Sequence, residues 1–228
     1  MGRQITWGNG KSWSATIRRG AFAAVVLSCL AWVGQPGPAG AVEKALQDPE
    51  VIGQLNRIED YLNRISSMKS RFIQVNPDGS TWQGDLYVQR PGRFRFEYDA
   101  PNPHLLIANG IWFYHVDKKL KETNVIPLVK TPAHFLVGEN ISLRDELKVT
   151  KFDQGPGVMQ VSVVTRDNPD LGEVTMTFTS RPLELRKWSI RDAQDNLTQI
   201  TLQNTRHGLS LKPDLFKFVE QPVPTQSE

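Results

Sequence analysis

The sequence predicts a mainly β fold of the α+β class: one amphipathic helix, then an antiparallel barrel or sandwich with short helices inserted partway. Three observations predict it. Apolar residues recur at steps of three and four over 48–68, the spacing of one helical face. From Ser70 onward the period falls to two, the spacing of a half-buried strand. Turn-forming residues then punctuate the chain every ~8–12 residues, as in small all-β folds.

The helix reads from Val51, Leu55, Ile58, Leu62 and Ile65, which share one face, against Gln54, Arg57, Asp60 and Arg64 on the other. Asp48-Pro49 supplies an N-cap followed by proline at the first helical position. Candidate strands cover 70–76, 80–90, 93–99, 104–109, 111–117, 120–126, 147–154, 157–166, 173–179, 183–192 and 197–206, with a last piece at Phe216–Val219. Pro77-Asp78-Gly79, Pro91-Gly92, Asn109-Gly110, Gly155-Pro156-Gly157 and Asp195-Asn196 carry turn chemistry between them. No crossover-length helix separates neighbouring strands, so they are expected to pair antiparallel. Residues 131–146 interrupt the pattern. Thr131-Pro132 reads as a cap and first helical residue, and two short helices are expected there. An insertion halfway round a barrel is well placed to lie over its mouth.

The N-terminus has a different character. Arg18-Arg19 precede an apolar run, 21–33, and a Gly/Pro stretch ends in Ala39-Gly40-Ala41. Basic, apolar and small segments in that order make a secretory signal peptide, 1–41. The run is shorter than the ~20 residues a spanning helix needs. The arginine pair also suits twin-arginine export, and Val26-Leu27-Ser28-Cys29 resembles a lipidation box, although the apolar run continues past Cys29. The first 41 residues hold four basic side chains and no acid. Of the 27 basic residues the mature chain keeps the other 23, against 24 acidic ones, a net of −1. That removes any basic footprint for nucleic acid. Cys29 is the only cysteine, so the mature domain, 42–222, is expected to fold without disulfides and without a Cys metal site. Residues 223–228 read as a polar tail.

Arg93-Phe94-Arg95-Phe96-Glu97-Tyr98 is the most informative run. Alternation puts Phe94, Phe96 and Tyr98 on an aromatic face and Arg93, Arg95 and Glu97 on a wet one. In the preceding strand Leu86, Val88 and Arg90 share a side. An arginine there either reaches solvent past Pro91 or bonds backbone carbonyls at the end of a lid helix, because an unpaired buried charge is costly.

The stretch from Gly84-Asp85-Leu86-Tyr87-Val88-Gln89-Arg90-Pro91-Gly92 through Tyr98 and Pro101 resembles the central motif of the LolA-type outer-membrane lipoprotein carriers. Leu106-Ile107-Ala108-Asn109-Gly110 with Trp112-Phe113-Tyr114 resembles that family's next hairpin. Thr131-Pro132 with Phe135-Leu136 resembles its inserted lid helix, and Phe216-Lys217-Phe218 then Pro222 its C-terminal ending. The resemblance implies an incomplete antiparallel barrel, a half-barrel, with a helical lid over an apolar cavity. It implies a periplasmic carrier, acting as a monomer, that takes acylated lipoproteins from an inner-membrane ABC transporter to an outer-membrane receptor or the outer membrane itself. Arg90 takes the place of the family's lid latch. Phe72, Leu86, Val88, Phe94, Phe96, Tyr98, Trp112 and Leu136 are the positions expected to face lipid. No cofactor is implied. The lid and the Gly155–Gly157 turn depart from the family's best-known pattern.

Other classes fare less well. The four histidines, His104, His115, His134 and His207, stand singly, with no HExxH, GxSxG or Cys/His spacing, and no enzyme is expected. A lipid-binding regulatory or glycolipid-carrying module of the same fold is the nearer alternative, distinguished by its partners or a lipidated Cys29.

Overall fold

A computed structural model describes the backbone of residues 45–131 and 134–219, with side chains except those of 135 and 136. The signal-peptide, export, Cys29 and polar-tail expectations lie outside these residues. Helix α1 spans Pro49–Asn63. The strands are β1 (Ser67–Val75), β2 (Thr81–Gln89), β3 (Arg93–Tyr98), β4 (His104–Asn109), β5 (Trp112–Asp117), β6 (Glu122–Pro127), β7 (Leu147–Gly155), β8 (Val158–Thr165), β9 (Glu173–Ser180), β10 (Leu183–Arg191) and β11 (Leu197–His207). They form one antiparallel sheet in the order β6-β5-β4-β3-β2-β1-β11-β10-β9-β8-β7. No ladder joins β6 to β7 among the described residues, so the barrel is incomplete. No helix among them is long and apolar enough to cross a membrane.

Helix α1 begins as its sequence dictates: the Asp48 carboxylate accepts the Glu50 N–H at 2.8 Å, and Leu55, Ile58 and Leu62 are buried. It ends at Asn63, five residues short of the periodicity. Beyond it the backbone is claimed by the sheet: Ser66 O accepts the Arg90 N–H at 2.8 Å and Ser67 pairs with Gln89. Ile65 and Met68 stay buried, now from a loop and a strand.

The strand expectations hold to within a few residues, with one exception. Phe216–Val219 is no strand. Pro213–Phe216 forms a single 3-10 turn, and the chain after it lies on the convex face. There Phe216 is buried and Phe218 stacks on Tyr114 at 4.8 Å, over Leu105, Ile107 and Val116. The face expected to be wet is therefore partly covered, and Arg95 donates to Leu215 O at 3.3 Å. The insertion also differs from two helices: a 3-10 turn at Leu128–Lys130 precedes it, and its described residues hold one more at His134–Val137, then irregular chain. It is fastened along α1 instead. Asn63 donates to Ile141 O at 2.9 Å and accepts from Ile141 N at 2.8 Å. The Leu143 N–H reaches Glu59 at 2.7 Å and Arg144 reaches Asn56 at 2.6 Å. Helix and insertion together make the lid.

Candidate functional site

The concave side has two zones. Leu147, Met159, Val161, Val163, Met176 and Phe178 are buried and pack solid, with Phe178 edge-on to Tyr61 of α1 at 6.0 Å. Over β2–β6 the interior is hollow. A cavity of about 420 Å³ lies between that half of the sheet, β10–β11 and the lid.

Cross-strand register builds the wall. Val88 pairs with Phe94, Leu86 with Phe96 and Gly84 with Tyr98. Phe94 then pairs with Ala108 and Ala108 with Phe113, all on one face because side chains alternate. Phe94 meets Phe96 at 5.7 Å and Phe113 at 5.8 Å, and Phe96 faces Trp188 at 6.4 Å. Gly84 is needed behind this row. A Cβ there would strike the Glu97 carbonyl oxygen and come within 2.8 Å of the Phe72 ring.

Of the positions expected to face lipid, Leu86, Val88, Phe94, Phe96 and Tyr98 line the cavity, as does Arg90. Phe72 lies one layer back, buried and edge-on to Phe96 at 5.1 Å and Tyr98 at 5.2 Å. Trp112 points to the convex side, 42% exposed, and its neighbour Phe113 takes the inward place. The run Ile111–Tyr114 is apolar at both parities, so alternation did not phase it. The Leu136 side chain falls outside the described set. Sequence reasoning missed the far wall, Leu185, Trp188, Ile190 and Ile200. A register shift between Leu185 and Lys187 puts Leu185 and Trp188 on the same face, which strict alternation forbids.

Polar groups in the wall are few and mostly paired. The Tyr98 hydroxyl donates to Gln74 at 2.8 Å, and burial raises its pKa well above the phenol's ordinary value. Arg90 sits where β2 ends beneath the lid. Its Nη1 donates to Leu62 O in the last turn of α1 at 2.7 Å, a carbonyl that also accepts the Ile65 N–H at 3.2 Å. Burial pulls its pKa down to about 10, so it remains a cation at neutral pH, at the helix end that favours one. Next to it Gly92, at φ +75°, donates to Val137 O at 2.6 Å and ties the same turn to the insertion. Both halves of the lid are thus held to the Arg90–Gly92 turn. Among the described residues no three His, Cys, Asp or Glu side chains gather as a metal site.

These features define a class: an open antiparallel barrel closed by a hydrogen-bonded lid around an aromatic hollow. The chain belongs to the LolA family, the outer membrane lipoprotein carrier proteins, whose family model matches residues 63–219. The outer-membrane lipoprotein carrier protein of Methylococcus capsulatus is 29% identical over 210 residues, 85% of this chain and 91% of that one. The protein of the same description from Azotobacter vinelandii is 31% identical, over 76% of this chain and 79% of its own. A solved LolA superfamily protein from Nitrosomonas europaea superposes at a TM-score of 0.42 with 6% identity, over 72% of this chain and 97% of that one.

Proposed function

We propose that this chain is a periplasmic carrier that holds the acyl chains of lipoproteins in the cavity and takes them from the inner to the outer membrane. The observation that carries the reading is an unfilled aromatic and aliphatic hollow beneath a lid, in a chain of the lipoprotein carrier family. At ~0.8 kcal/mol per CH₂, one long acyl chain resists leaving a membrane by about ten kcal/mol. A carrier must return most of that through apolar contact. The wall does so with rings and branched chains, which pack on hydrocarbon without demanding one shape.

Size argues for a lid that moves. The cavity of about 420 Å³ is near the lower end of the ~300–1,000 Å³ of small-molecule pockets, whereas a lipoprotein brings two or three chains. Loading therefore widens the space by lifting α1 and the insertion from the Arg90–Gly92 turn. Arg90 is the latch: bonded to α1 when the cavity is empty, released when it is full. No covalent step is required.

The test is lipoprotein release from spheroplasts. Added protein is expected to bring newly made lipoprotein into the soluble fraction as a one-to-one complex. If no lipoprotein leaves the membrane with the purified protein present, the reading fails.

A further inference from the structure

Among the described residues the sheet ends in two unpaired edges, β6 and β7, and they differ. Strand β7 is guarded: it carries Lys148, Lys151 and Asp153, and its register shifts between Val149 and Lys151. Charges and bulges of that kind keep foreign strands away. Strand β6 has no register shift, and its one charge, Glu122, stands at its first residue. Its centre, Thr123-Asn124-Val125-Ile126, is uncharged and pairs with β5 in unbroken register. The Leu128 N–H donates to Ile111 O at 2.9 Å. Bonding direction alternates along an antiparallel pair, so Ile126 and Asn124 turn their backbone groups toward β5. Those of Thr123 and Val125 face the open side. Pro127, which has no N–H to offer, falls in the outward set where none is missed.

This open edge adjoins the cavity. Ile126 of β6, and Lys130 and Thr131 just beyond it, line the hollow, whereas no residue of β7 does. Five exposed apolar side chains, Ile111, Trp112, Leu120, Val125 and Val129, lie on β5, β6 and the adjoining turns, a concentration that marks an interaction surface.

We propose that β6 receives the extended polypeptide that follows the acylated residue of the cargo, which adds to the sheet as one more strand. The inference rests on the carrier reading and deepens it. Main-chain pairing reads no side chains, which suits a carrier whose cargoes share an acylated end and little sequence. Acyl chains held in the cavity tether that polypeptide beside the edge, at an effective concentration on the order of millimolar. A short strand is then enough.

Hydrogen exchange of the full chain tests this in three states: empty, with a triacylated cysteine lacking polypeptide, and with an intact lipoprotein. Both ligands are expected to change Trp188 fluorescence. Only the lipoprotein is expected to slow exchange at the Thr123 and Val125 amides, by tenfold or more. Val125→Pro, which removes an outward donor and leaves the β5 ladder intact, is expected to keep triacylated-cysteine uptake unchanged and to speed lipoprotein loss severalfold. If that variant does not fold, exchange in the unmodified chain decides. A lipoprotein that changes Trp188 fluorescence and leaves both amides exchanging as in the empty protein overturns the proposal. So does slowing that follows protein concentration without cargo, which assigns the edge to a second copy. Trp188 indifferent to both ligands sinks the carrier reading itself.

Discussion

Replacing Arg90 with methionine should slow the lid without weakening the fold. The change keeps an unbranched apolar stem and deletes the guanidinium with its charge. In the closed state Arg90 gains the bond to Leu62 O at 2.7 Å, ~1.5–3 kcal/mol for a charged donor, and ~0.3–1 kcal/mol from the helix end. Against this stands its burial, which pulls the pKa down to about 10. That corresponds to at most about 3 kcal/mol, and less because solvent reaches part of the group. These two terms nearly cancel, so together they bias the lid little in either direction. Methionine loses both terms and adds ~1.5–3 kcal/mol in favour of staying buried. A net bias of about 2 kcal/mol toward closure corresponds to about thirtyfold less open lid. The assay is transfer of a fluorescent acyl probe from protein to vesicles, followed in time, beside urea unfolding. Transfer should slow tenfold or more, with stability unchanged or raised, as when a buried charge gives way to a packed apolar group. Transfer at the unmodified rate would remove Arg90 from the gate. A stability loss above ~3 kcal/mol would make it a structural prop.

Gly84→Ala should cost about 3 kcal/mol, because its Cβ meets β3 backbone and the Phe72 ring and overpacking is penalised; an unchanged urea midpoint would contradict that contact. Phe178→Ala, in the solid zone with no exposure, should cost ~3–5 kcal/mol. Phe96→Ala, beside a void already present, should cost about half that or less, and equal losses would mean the interior is filled throughout. Burial lowers the pKa of His115, with the nearby His104 adding to it, and burial lowers that of His207. The unfolded chain then binds more protons as pH falls through 6.5. This contribution is complete above that pH and is lost below it. The urea midpoint should drop between pH 7.5 and 5, less so in His115→Asn, and a flat profile in the unmodified chain would refute the linkage.

What was legible in the sequence followed local periodicity. The Phe94–Tyr98 face, the Leu86–Arg90 face and nearly every strand could be read because alternation there is unbroken and turn chemistry brackets it. The illegible parts have identifiable causes. The end of α1 was set by sheet pairing at Ser66–Ser67, a tertiary competition that periodicity does not report. Trp112 and Phe113 were misphased because both parities of β5 are apolar at its start. The Trp188 wall was hidden by the register shift in β10. The insertion has too few residues between Pro132 and Gly138 for sequence to separate an α-helix from a 3-10 turn. Its real order comes from side chains of α1, Asn56, Glu59 and Asn63, far away in sequence. Arg90 was legible as a cation on an apolar face at a strand end, and the choice between solvent and the carbonyls of a lid helix was made only once α1 lay above it.

The central claim is that hydrocarbon enters the aromatic hollow, and photo-crosslinking measures it most directly. A photoreactive phenylalanine would be placed in turn at Phe96, Phe113 and Trp112, and each protein loaded with lipoprotein whose acyl chains carry a radiolabel. The account predicts labelled adducts at Phe96 and Phe113, which line the cavity, and none at Trp112, which faces outward. Adducts at Trp112 with none at the two inward positions would place the lipid on the outside of the barrel and contradict it.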